Sequence, residues 1–168
     1  MKKSPKTPPS APSDITPKAK AAASPALAAA TSGATLTDDQ MQQLAQSFHD
    51  ISVAIGQIRL DAIKAGASLT DTRIVQLQGN VFSLMQTANT LALQGAKLTL
   101  EDAEQALNQI SVATRTADHA LDKLAGIDKA VQIASAVIVL GAAISSQNPS
   151  QIISAAKLVV TSCGVSLS

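Results

Sequence analysis

Residues 130–146 read AVQIASAVIVLGAAISS, a run without a charge in which Gln132 is the one strongly polar side chain. A second apolar run, SQIISAAKLVV at 150–160, follows the break Gln147-Asn148-Pro149. No charged residue occurs between Lys129 and Lys157. The apolar residues of 130–146 do not keep to one stripe. Ile127, Val131, Ala134 and Ile138 form one helical row, and Ile133, Val137, Leu140 and Ile144 form another. A helix apolar all round is buried in protein or in lipid. At 1.5 Å per residue the run spans about 26 Å, short of the ~30 Å hydrocarbon core that takes about 20 residues. No Trp or Tyr marks a membrane interface, and the second limb carries Lys157. A helical hairpin buried in a bundle is therefore favoured over a constitutive two-span membrane anchor, with release onto a bilayer or another subunit as the sharper alternative. Ala130, Ala134 and Gly141 add small-residue spacing that suits close helix packing.

Working outward, the residues before this hairpin supply a cover for it. Leu36-Thr37-Asp38-Asp39-Gln40 carries an N-cap, a capping-box partner and two dipole-complementing aspartates. Met41, Leu44, Phe48, Ile51, Ile55, Ile58, Ala62 and Ala65 then alternate spacings of three and four, a coiled-coil seam ended by Gly66. Leu69-Thr70-Asp71 opens a second helix with a seam from Ile74 through Leu91, ended by Gly95. Leu98-Thr99 opens a third, with Asp102 as the box partner, running until Gly126. Gly126 either breaks the chain before a fourth helix capped by Asp128 or is crossed at about 1 kcal/mol relative to Ala.

The expected fold is all-α: an up-down antiparallel bundle of three amphipathic, coiled-coil-like helices plus the C-terminal hydrophobic hairpin, with a disordered N-terminal arm. The helices fall at about 37–65, 70–94, 99–125, 128–146 and 150–163, within a bundle domain at 35–168. Short connectors make neighbours antiparallel. The row Ala106, Ala113 and Ala120 beside the third seam predicts that the third helix is central. Val53, Leu60, Val75, Phe82 and Leu93 lie off the seams and read as a widened core face rather than a binding site, with room for the fourth and fifth helices or for another subunit.

Residues 1–34 hold six of the seven prolines and little bulky apolar surface, so an unstructured arm is expected. Residues 1–35 carry five lysines against Asp14 alone, a net +4, while the remainder holds 8 basic and 11 acidic residues, a net −3. A basic arm can touch nucleic acid or anionic lipid. This one has neither Arg nor an aromatic for stacking, which argues against nucleic acid. Ser4-Pro5-Lys6-Thr7-Pro8-Pro9 stands where a secretory signal would need an apolar core, so a cytoplasmic location or export without such a signal is expected, with conditional membrane association.

No constellation points to catalysis, a cofactor or a metal. His49 and His119 fall off the seams on separate helices, beside Asp50, Asp118 and Asp122, where solvated faces explain them. Cys163 is the single cysteine and has no neighbouring base to activate it. Neither a Gly-x-Ser-x-Gly elbow nor a phosphate loop occurs. The sequence thus points to a non-enzymatic protein that works by helix-mediated assembly, with no small-molecule substrate. Its partner would be another copy, a helical protein or a membrane, met through Val131, Ile133, Val137, Ile138, Leu140, Ile144, Ile152, Ile153 and Val159. The alternative is a soluble coiled-coil adaptor or secreted effector whose hairpin is only the bundle core.

Overall fold

The computed structural model describes residues 36–94, 103–124 and 126–164. The proposed arm, the Thr99–Asp102 box and the Gly95 stop lie outside them. Among the described residues the chain is all-helical: α1 Asp38–Lys64, α2 Thr72–Gln94, α3 Ala103–Asp122, α4 Ile127–Ser145 and α5 Pro149–Ser162.

Local chemistry sets the helix ends. Thr37 caps α1, with Gln40 N donating to Thr37 Oγ1 at 3.2 Å and Thr37 N donating to Gln40 Oε1 at 2.9 Å. Leu36 before this cap and Met41 at the fourth helical position are both buried, the two positions of a hydrophobic staple. At the other end Gly66 takes φ +100° while Gly66 N donates to Ile63 O and Ala67 N to Ala62 O, a Schellman closure.

The second helix starts at Thr72, and of the Leu69-Thr70-Asp71 run it is Asp71 that caps it. Asp71 Oδ1 accepts from Arg73 N at 2.9 Å, and the Asp71 carbonyl accepts the Val75 amide. The Arg73 guanidinium folds back on the same carboxylate at 2.7 Å and reaches Asp128 at 3.4 Å. Asp128 is therefore not the cap of α4; it sits in the first turn, and Gly126 caps without a side chain. α3 and α4 are separate helices, α3 closing on tight bonds from Lys123 N to Ala120 O and Leu124 N to Leu121 O. Asn148, read in the sequence only as part of a break, caps α5 by accepting the Ser150 and Gln151 amides, with Pro149 at the first helical position.

The helices pack in two layers. α2, α4 and α5 lie side by side, while α1 packs against α2 and α4, and α3 against α4 and α5, with α1 and α3 also touching. The short connectors suggest that the first three helices pack consecutively, yet α2 and α3 share no contact among the described residues. The central element is α4, not α3: α4 alone touches all four others. The reason is volume. α4 buries Ala130, Ala134, Ala136, Gly141 and Ala143 between its Ile, Val and Leu side chains, so neighbours reach its backbone on several sides.

Among the described glycines the closest approach is at Gly141. A Cβ there would stand 2.5 Å from Thr87 Cγ2 on α2 and 3.0 Å from Phe48 Cε1 on α1. Phe48 is fully buried and has no free space into which to withdraw, while the half-buried Thr87 is held by its hydroxyl bond to Ser83 O at 2.9 Å.

Two measurements follow from this packing. Gly141→Ala gains about 1 kcal/mol of helix propensity but overpacks at a cost of about 1–3 kcal/mol; thermal melting is expected to show net destabilisation, and a raised Tm would refute the close contact. At the α2 cap, side-chain and backbone hydrogen bonds from Arg73 hold the Asp71 carboxyl down at about 2, below its ordinary 3.8. A depressed carboxylate stabilises the fold above its ordinary value and loses that contribution as pH falls. Asp71→Asn, which keeps a capping side chain, is expected to melt below wild type at neutral pH, the gap closing as pH falls from about 3.8 to about 2.

Candidate interaction surfaces

The hairpin residues expected to meet a membrane or partner lie mostly in the core. Ile133, Val137, Leu140, Ile144, Ile152 and Val159 are fully buried, and Val131, Ile138 and Ile153 are half-buried. α4 is, among the described residues, the one helix long and apolar enough to cross a membrane by length and composition. The core helix of a soluble bundle passes the same test. Its open strip consists of Gln132, Ser135, Val139, Ala142 and Ser145, mostly small or polar.

Exposed apolar surface is found elsewhere. Val53 and Leu60 on α1 and Val75, Phe82 and Leu93 on α2 do not widen the core; all five face solvent. Phe82, one of two aromatic residues in the chain, is 63% exposed, and Leu93 is 87% exposed. Helical spacing explains the placement. Ile74, Leu77, Leu84, Ala88 and Leu91 turn one face of α2 to the core, while Val75, Gly79, Phe82, Gln86 and Leu93 fall on the opposite face. Among the described residues α2 is an edge helix that touches only α1 and α4, and no other described element covers that row. No charged residue occurs between Arg73 and Lys97, and Gln76, Gln78, Gln86, Asn89 and Thr90 supply the exposed polarity. Met85, also exposed, lies between the row and α1. The two helices are joined there by Arg59 Nη2 donating to Gln78 Oε1 at 3.0 Å.

Gly79 in this row has no neighbour within 4 Å of a built Cβ. A mid-helix glycine costs about 1 kcal/mol relative to Ala, and no contact among the described residues accounts for it.

A cleft of about 300 Å³ opens where the end of α3, the start of α4 and the end of α5 meet. His119, Lys123 and Lys129 stand at it with Leu124, Ile133 and Cys163. Burial pushes the Cys163 thiol up, and the charge of Lys129 offsets this only in part. A thiol held protonated is a poor nucleophile. On the α1–α3 side, the Asp118 carboxyl is raised by burial and by the charges of Asp122 and Asp50, with His119 pulling the other way. His49 and His119 are both exposed, and among the described residues no group of three His, Cys, Asp or Glu side chains is placed to hold a metal ion.

The sequence signal for the α2 surface was present in Val75, Phe82 and Leu93, but periodicity alone does not say which of two apolar faces meets the core. No protein-family model matches the chain, no curated protein matches it, and no solved structure matches it.

Proposed function

We propose that this chain is a non-enzymatic helical adaptor that assembles through the outer face of α2, with Val53 and Leu60 of α1 beside it, while the α4–α5 hairpin remains the bundle core. One observation carries the reading: a solvent-facing, uncharged apolar row on a helix whose opposite face already fills the core. Contiguous exposed apolar surface of this kind marks interaction sites in soluble proteins.

Magnitudes favour this over release of the hairpin. Withdrawing Ile133, Val137, Leu140 and Ile144 forfeits about 2 kcal/mol each, comparable in total with the 5–15 kcal/mol net stability of a domain, as an order of magnitude. Lipid could rebury α4, but not the core faces it would leave on α1, α2, α3 and α5. The adaptor reading also carries an up-and-down run of neighbouring helices. In support, Arg59 meets Gln78 while Gly56 stands opposite Val81, so one helix descends as the other ascends. α2 and α4 share one direction, since Arg73 meets Asp128 and Thr87 meets Gly141.

The test is binding of a polarity-sensitive apolar dye to the folded protein. Wild type is expected to bind it, and Val75→Gln with Phe82→Gln to weaken binding several-fold at unchanged helix content and melting temperature. Equal dye binding by the variant would refute the assignment of the face.

A further inference from the structure

Resting on the docking role proposed for α2, we infer that the occupant of this face is a second copy of the chain, packed about a two-fold axis with the two α2 helices antiparallel. Two features of the face fit a copy of itself better than a foreign partner.

The first is charge. In an isologous interface residue i meets j and j meets i, so a charged residue near the axis meets a like charge. α2 carries none between Arg73 and Lys97, and Arg59 of α1, at its edge, donates to Gln78.

The second is shape. Val75, Gly79 and Phe82 follow one another at spacings of four and three and share one stripe. Phe82 is the largest projection on it and Gly79 the one hollow, with open space around it. With the axis between residues 80 and 81, Phe82 stands over Gly79 of the partner subunit while the partner's Phe82 stands over Gly79. Glycine, among the poorest helix formers, thereby gains a role that the single chain does not give it. With that axis Val75 lies opposite the partner's Gln86, so the two rows overlap over about 17 Å. Two such faces make a small interface, which suits micromolar rather than nanomolar association.

The test is sedimentation or multi-angle light scattering across a concentration series, on wild type, Gly79→Leu and Phe82→Gln. A reversible dimer is expected, weakened by about tenfold or more in each variant. Phe82→Gln should keep wild-type helix content and melting, because Phe82 is mostly exposed, and Gly79→Leu should melt at or above wild type, because it has open space around it and replaces a poor helix former. A wild type that stays monomeric at high concentration overturns the inference, as does a dimer indifferent to both substitutions or a larger oligomer. A monomer whose apolar-dye binding still depends on Phe82 removes the second copy and leaves the docking face standing. One whose dye binding does not depend on Phe82 removes both. Flotation with neutral phosphatidylcholine vesicles completes the set: Phe82-dependent flotation of a monomer assigns the face to lipid and overturns the dimer.

Discussion

The fold depends on how closely α4 can be approached. At Gly141 the α4 backbone lies against Phe48 of α1 and Thr87 of α2, at separations that leave no room for a methyl group. That contact explains why a chain with only two aromatic residues builds a dense core. Small residues on α4 and α5 bring helix axes together, so Ile, Leu and Val suffice to fill the remaining space. It also explains the layering. α4 can lie between α2 and α5 and still support α1 and α3 because its Ala and Gly positions point in several directions, not along one seam.

Centring the bundle on α4 leaves α2 at an edge with two neighbours. The most apolar helix is thus the one most enclosed, and exposed apolar surface gathers on a helix of moderate hydropathy. Total apolarity is a poor guide to where a helical protein meets a partner. What matters is apolarity left over after the core is filled, and α2 has it on the face opposite Leu77 and Leu84.

Much of the local structure was legible in the sequence. Thr37 and Gln40 form the capping box that their spacing suggests, and Gly66 and Gly164 take positive φ just past α1 and α5. These signals are local: a cap needs only its own first turn. Asn148 carries an equally local signal, Asn before Pro, that reads as a break until its hydrogen bonds to Ser150 and Gln151 are seen. The choice of neighbours was not legible. Ala106, Ala113 and Ala120 make α3 resemble a central helix, and α3 does contact three others, yet Gly141 admits two neighbours more closely. Periodicity reports which face of a helix is apolar; it does not report competition among helices for the same space. The same gap hid the candidate surface, because Phe82 off a seam looks alike whether it widens a core or faces solvent.

The central claim is that α4 is the fixed core of the bundle and not a limb held for release. Native-state hydrogen exchange tests it most directly, since amides that open only on global unfolding are distinguished from those that open in a smaller unit. The account predicts that α4 amides from Ile133 to Ile144 are among the slowest and share the global opening free energy with the buried turns of α1 around Phe48. A lower opening free energy common to α4 and α5, with α1 and α2 still protected, would contradict it.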